Sequence, residues 1–245
     1  TVVLNAGDYV KMIPTSTSYT ISASSTGYSS DQTINPSELN LWRVIKVNND
    51  ETIDLVSEYV SSTKIYFSGQ TGDTKAITTL NKIAEQYTNS KYTSGSRYMG
   101  YNGQTGTITD ISAFSTPHPE TVIYVNTEAR GGGDTGYEKD YNLVKDALGT
   151  VIANTVGTTS PAYYWQASRY YTKVSSSEWY FGIREISDNG EIHNSATLKC
   201  TNSSGTKVNK ESRDTYSKIR PIVTLKAGLT PSGSGTDIDP FVLTD

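Results

Sequence analysis

Residues 177–200 read SEWYFGIREISDNGEIHNSATLKC, and the reading of this stretch decides the fold. Trp179, Phe181 and Ile183 alternate with Tyr180, Gly182 and Arg184, the period of a pleated strand whose successive side chains point to opposite faces. Asn189 and Gly190 then supply the residue pair preferred in a tight hairpin turn. The run after them, EIHNSATLKC, reads as the return strand. A hairpin this rich in large rings needs further strands or helices to bury them.

Working outward, those strands are present. YYWQASRYY (163–171) precedes the hairpin. In SKIRPIVTL (217–225), Ile219, Pro221, Val223 and Leu225 alternate with Arg220, Ile222 and Thr224. A proline inside that run predicts an edge, a bulge or a strand end, because it has no N–H for a ladder. The tail GSGTDIDPFVLTD carries a last strand within 236–245. In the first half, GDYVKMIP (7–14) gives a strand stopped by Pro14, and SYTIS a short one. LNLWRVIKV (39–47) and TIDLVSEYV (52–60), joined by NNDE, form a second hairpin. There Ile53, Leu55, Ser57 and Tyr59 are expected on one face and Asp54, Val56, Glu58 and Val60 on the other. KIYF (64–67) adds a short strand.

Two helices interrupt the strands. Ala76, Ile77, Leu80, Ile83, Ala84 and Tyr87 recur at helical spacing, with Asp73 placed to cap the start. YEKDYNLVKDAL (137–148) carries a stripe of Tyr137, Tyr141, Val144 and Leu148, and Gly149 is its C-terminal stop. The Gly/Ser/Tyr-rich stretch between them, 89–136, reads as irregular and is either packed by its tyrosines or mobile. No repeat or composition shift divides the chain. The expectation is one α+β domain over 1–245, with a twisted antiparallel sheet that brings the N- and C-terminal strands together.

Composition narrows the function. Of 245 residues 35% are apolar and 19% charged, with a net charge of −4 and 18 tyrosines. The polar balance is made by Ser, Thr, Asn and Gly, a pattern associated with proteins of bacterial surfaces. An acidic chain without a Lys/Arg stripe has no drive toward phosphate backbones, so nucleic acid is not an expected partner. No apolar run is long enough to span a bilayer. The chain opens at Thr1 rather than Met, which is read as the loss of a signal or anchoring segment ahead of it. Cys200 is the only cysteine and reads as a buried thiol.

Catalytic residue types are sparse. The two histidines are His118, between prolines in STPHPE, and His193, expected to point outward from its strand. No HExxH, GxSxG, P-loop or GxGxxG pattern occurs. RGGGD (130–134) reads as a loop rather than a phosphate cradle. Glu178, Glu185, Asp188 and Glu191 cluster along the late strands and read as solvated or backbone-bonded rather than as an acid/base dyad. A structural Ca²⁺ on such oxygens is compatible with the residue types but has no motif behind it, so no cofactor is expected. The aromatics favour binding: tyrosine combines a rigid apolar ring with a hydroxyl, and Ser and Asn add adaptable hydrogen bonds. Trp165, Trp179 and Phe181 are expected in the core. Tyr170, Tyr171 and Tyr180, beside Lys173, Ser175 and Ser176, are expected at the surface.

YYWQASRYY, WYFGIREISDNGEI and SKIRPIVTLKAG, in this order, resemble the C-terminal half of a C-type-lectin-like fold, as in formylglycine-generating-enzyme-like proteins and retroelement-diversified variable proteins. The matching residues are Trp165, Ser168, Arg169, Phe181, Gly182, Arg184, Arg220 and Pro221. The whole chain is also similar to uncharacterised secreted or surface proteins of gut bacteria, through GDYVKMIPTS, TINPSELNLWRVIKVN, NSKYTSGSRYMGYNGQTG and the GSGT…PFVL tail. A lone cysteine departs from formylglycine-generating chemistry, and the EPN/QPD and WND signatures of calcium-dependent sugar lectins are missing. The resemblance implies that the late strands, 161–225, present a binding face. Asn189, His193, Asn194, Asn202 and Tyr216 then join Tyr170, Tyr171, Lys173, Ser175, Ser176 and Tyr180 as ligand contacts. The expected function is non-enzymatic recognition of a protein or glycan outside the cell or on its surface. The alternatives are a subunit or tip domain of a pilus-like surface assembly, and a hydrolase with an unrecognised carboxylate pair.

Overall fold

A computed structural model describes residues 3–100, 132–134, 136–175, 178–203 and 207–243. The first half runs β1 (Tyr9–Lys11), β2 (Tyr19–Ile21), α1 (Ala23–Thr26), β3 (Gln32–Ile34), β4 (Leu41–Val47), β5 (Ile53–Ser57), β6 (Ile65–Ser68) and α2 (Gly69–Glu85). Next come β7 (Thr93–Tyr98), β8 (Gly132–Gly133), α3 (Glu138–Leu148), β9 (Tyr164–Ser175), β10 (Glu178–Ile186) and β11 (Ile192–Ser203). The last strands are β12 (Lys207–Ser212), β13 (Asp214–Ser217), β14 (Pro221–Leu225) and β15 (Phe241–Val242). The class is mixed α+β and mostly sheet. The described residues hold three α-helices rather than the two expected, the extra one being the single turn α1.

The larger sheet has the order β15-β1-β4-β5-β14-β7. Its β4–β5 hairpin is the one read at 39–60, with a register shift between Val44 and Lys46. The N- and C-terminal strands lie side by side, but β1 and β15 run parallel, so the sheet is antiparallel except at that edge. Pro221 opens β14, which is an interior strand. Its missing N–H falls where the ladder begins and costs the sheet little. The alternation expected for β5 is not seen in its burial, since Asp54, Leu55, Val56 and Ser57 are all buried. Asp54 is made acceptable inside by an ion pair with Arg97 Nη1 at 3.0 Å and the Thr224 hydroxyl at 2.7 Å. The β7 segment, TSGSRY, was expected to be irregular. It has no apolar period, and it becomes a strand because β14 supplies a pairing edge. Residues 101–131 of that stretch, His118 among them, lie outside the described residues.

The second sheet has the order β12-β11-β10-β9-β8 and is built on the hairpin read at 177–200. Gly190 takes φ +84° in its turn, a left-handed conformation that glycine adopts without steric cost. Trp165, Trp179 and Phe181 are fully buried, and Trp165 meets Phe67 edge-on at 5.4 Å between ring centroids. Arg184 is buried too, donating to the Arg169 carbonyl at 2.6 Å and to the Ser168 hydroxyl. Helix α2 starts directly from β6 at Gly69, at φ +61°. Asp73 therefore does not cap it. It lies one turn in, on a buried face, and the corrected start follows from a glycine that turns the chain sharply out of the strand.

Gly182 marks where β10 and β11 crowd most closely. A Cβ there would sit 2.0 Å from the Ser195 carbonyl oxygen and 2.8 Å from the Ala196 Cα. Both neighbours are backbone in a paired strand, so neither can yield without breaking the ladder. Gly182→Ala is expected to destabilise the fold by roughly 3 kcal/mol, the upper range for overpacking, read as a lowered midpoint in urea unfolding. Gly95→Ala, with open space around the added methyl, is the control and should shift the midpoint far less.

Candidate functional site

Strand β13 pairs with β6 along one edge. The residues flanking it are tied to the second sheet and to the chain entering it: Arg213 N–H donates to the Thr197 carbonyl at 2.7 Å, and Lys218 N–H to the Tyr163 carbonyl at 3.0 Å. Between these ties a cleft of about 470 Å³ opens, lined by all four residues of β13 together with Lys64, Pro161, Ala162, Tyr163, Glu185, Ser195 and Lys218. That volume lies within the range of small-ligand sites.

Two tyrosines give the cleft its exposed apolar surface, Tyr163 at 39% and Tyr216 at 48% exposure. The Tyr216 ring is held from two directions. Tyr66 packs against it at 5.0 Å, itself stacked on Tyr28 at 4.6 Å, and Lys64 Nζ lies 4.2 Å from its centroid. Tyr163 meets the His193 ring edge-on at 6.1 Å. The negative charge of Asp188, and then burial, raise the Tyr163 phenol above its ordinary pKa.

The polar groups are partly committed. Glu185 is buried and accepts a short hydrogen bond from the Ser217 hydroxyl, which fixes both side chains at the base of the cleft. Lys218 Nζ donates to the carbonyls of Ser61 at 3.1 Å and Ser62 at 2.7 Å. Burial, and then the nearby Lys64 charge, lower its pKa. Asp214 is exposed. The arrangement offers hydroxyls, carboxylate oxygens and ammonium groups around two rings.

The expected ligand contacts do not form one face. Tyr180 pairs with Thr172 and Lys199, while His193 pairs with Glu185. The five residue steps of β10 from Tyr180 to Glu185 span roughly 17 Å. Tyr171, Lys173, Ser175 and Asn202 have strand positions at the Tyr180 end, and the side chains of Tyr171, Lys173 and Asn202 lie outside the description, as does Ser176 altogether. Asn189, His193 and Asn194 are exposed at the opposite end. Of the expected set Tyr216 alone lines the cleft, with His193 touching it through Tyr163. Tyr170, expected at the surface, is 5% exposed. Its strand packs against α2, and burial raises its phenol pKa. Tyr180 sits among Glu178, Lys199 and Arg213, whose guanidinium lies 5.5 Å from its ring centroid.

Sequence reasoning passed over Tyr163, Lys64, Ser195, Asp214 and Lys218. Tyr163 was in view within YYWQASRYY but stands one residue before its strand begins, where periodicity gives no face. Glu185 was noted only as one of several late carboxylates. Among the described residues no group of three or more His, Cys, Asp or Glu side chains is gathered to hold a metal ion. No helix of these residues is long and apolar enough to cross a membrane. Comparison with family models, curated proteins and solved structures finds no match to this chain.

Away from the cleft, Asp73 is a second unusual group. It is 1% exposed, and among the described residues neither carboxylate oxygen has a hydrogen-bond partner. Burial raises its pKa to about 7, against the pull of the Arg169 charge and with a push from Asp134. The folded carboxyl therefore keeps its proton at pH values where an unfolded one, near 3.8, has lost it. Stability is greatest below about pH 4 as far as this group is concerned. It falls as pH rises to about 7, by an amount on the order of 4 kcal/mol at about 1.4 kcal/mol per unit. Asp73→Asn should remove this dependence. Urea unfolding at pH 4 and pH 8 should show the variant more stable than wild type at the higher pH, with the gap closing at the lower.

Proposed function

We propose that the protein is a non-enzymatic extracellular recognition module that binds a protein or glycan ligand in the cleft between β13 and the second sheet. The observation that carries this reading is the pair of half-exposed tyrosines, Tyr163 and Tyr216, lining one cleft together with the hydroxyls of Ser195 and Thr215 and the carboxylate of Asp214. Burying a ring on binding releases apolar surface from water, and its fixed geometry limits the entropy lost. The finer reading of the fold, C-type-lectin-like, belongs to the same proposal. It is supported by adjacent N- and C-terminal strands and by a long aromatic hairpin leading into the Arg220–Pro221 strand. A bacterial surface or secreted location follows from the composition and the resemblance alone.

A second reading has one observation in its favour. Glu185 and Asp214 line the same cleft, so a glycoside hydrolase using that carboxylate pair is the enzymatic alternative. Release of a chromophore from aryl glycosides, abolished by Glu185→Gln, would replace the recognition reading with it.

The recognition reading predicts where binding is lost. Tyr163→Ala with Tyr216→Ala should weaken capture of glycan or protein ligands at least tenfold by surface plasmon resonance, with the melting temperature little changed because both rings are partly exposed. Tyr180→Ala, at the other end of β10, should leave it unchanged. The opposite pattern would move the site to the Tyr180 end.

A further inference from the structure

Resting on the cleft as the binding site, we propose that its ligand class is a neutral pyranose unit of a glycan, held edge-in between β13 and the second sheet. Three features of the cleft lead there.

The first is its closure. A peptide commonly docks on a free strand edge by adding a strand, its backbone pairing along the whole edge. Among the described residues, Asp214–Ser217 have no backbone partner on the side away from β6. That edge is nevertheless only four residues long, about 13 Å. The Arg213–Thr197 and Lys218–Tyr163 hydrogen bonds close it at both ends. An extended chain has no way through. A compact ring entering from the solvent side has.

The second is charge. Lys64 and Lys218 are offset by Glu185 and Asp214 within the lining, so a ligand of either sign meets an opposing charge and gains little from the field. Lys218 is already bonded to two carbonyls and Glu185 to Ser217, which leaves fewer free donors and acceptors for a carboxylate or an ammonium ligand.

The third is the mixture of surfaces. Tyr163 and Tyr216 present apolar rings with hydroxyls, and Ser195, Thr215 and Asp214 place short polar groups beside them. A pyranose ring matches this on both counts. Its C–H face packs on an aromatic ring, and its closely spaced hydroxyls both donate and accept. A site built to bond hydroxyls discriminates strongly against ligands that lack them, because its own polar groups are then left unpaired.

The test is an array of three immobilised probe sets, read with the intact protein: neutral hexose oligosaccharides, oligosaccharides ending in uronate or sialate, and random decapeptides. Each is repeated with Tyr216→Ala, Tyr216→Phe, Tyr163→Ala and Asp214→Asn, all confirmed folded by thermal melting. The expected result is binding to neutral oligosaccharides. Tyr216→Ala and Tyr163→Ala should each weaken it about tenfold, Asp214→Asn several-fold, and Tyr216→Phe least of all, because it keeps the ring. Preference for acidic glycans, or for peptides, with the same sensitivity to the two tyrosines would overturn the neutral-sugar assignment and leave the cleft as the binding site. Binding that ignores all four substitutions would remove the cleft itself, and no binding in any set would sink both readings.

Discussion

The buried guanidinium of Arg220 joins the two halves of this protein, and the position of the cleft depends on it. Its Nε donates to the Ser57 carbonyl at 3.0 Å, and its Nη1 to the Val151 carbonyl at 2.9 Å and the Tyr164 hydroxyl at 3.2 Å. Its own N–H donates to the Tyr98 hydroxyl at 3.0 Å. Ser57 and Tyr98 belong to the larger sheet and Tyr164 begins β9 of the smaller one. A cation 1% exposed must regain in hydrogen bonds what it loses in hydration. Here the acceptors are oxygens of carbonyls and hydroxyls fixed by the fold itself. Any displacement of one sheet relative to the other would leave several of them unpaired at once, each at a cost of about 1–3 kcal/mol.

That tie reaches the cleft through a few residues of chain. Ile219 N–H donates to the Ser61 hydroxyl, and Ser61 N–H to the Ile219 carbonyl. Lys218 bonds through its backbone to Tyr163 and Trp165 and through its ammonium to Ser61 and Ser62. Ser217 is buried against Glu185. From 217 to 221 the chain has no freedom to adjust, and it delivers β13 at a set distance from β11. The cleft is therefore a gap whose far wall is anchored in the core. Sites on such strands hold their geometry better than sites on loops, and a preformed site loses less entropy when filled.

The elements that sequence revealed are those whose reason is local. Both hairpins, the strand quality of Arg220–Leu225 and the helix ended by Gly149 come from alternation, turn chemistry and capping within a dozen residues. The misses arise where a partner distant in sequence decides. TSGSRY has no period of its own and is a strand because β14 lies beside it. Tyr170 was expected to face outward but is buried, on a strand that packs against α2. The site shows the same division. Its residues come from 64, 161–163, 185, 195 and 214–218, none of them a motif with its neighbours, and only Tyr216 was singled out beforehand as a ligand contact. A contiguous aromatic segment such as YYWQASRYY advertises core more than contact: Tyr164, Trp165 and Tyr170 are buried, and the one ring at the cleft, Tyr163, precedes the strand.

Why the opening falls at this end of the hairpins follows from how the two sheets meet. β13 is paired with β6 in a sheet of its own and not with the second sheet. The chain bonds to Thr197 of β11 at Arg213, just before β13, and to Tyr163, just before β9, at Lys218, just after it, and between those contacts it follows β6 instead. The gap that results would normally be filled by side chains. Here Ser195, Thr215 and Ser217 are small, and the two rings in the lining, Tyr163 and Tyr216, stay partly exposed. Tyr216 is turned onto Tyr66 and Lys64, and Tyr163 toward His193. The core elsewhere is closely packed with fully buried aromatic and aliphatic side chains, so the chain has the residues to close such a gap. The lining that results is two partly exposed rings, Tyr163 and Tyr216, with short polar side chains beside them.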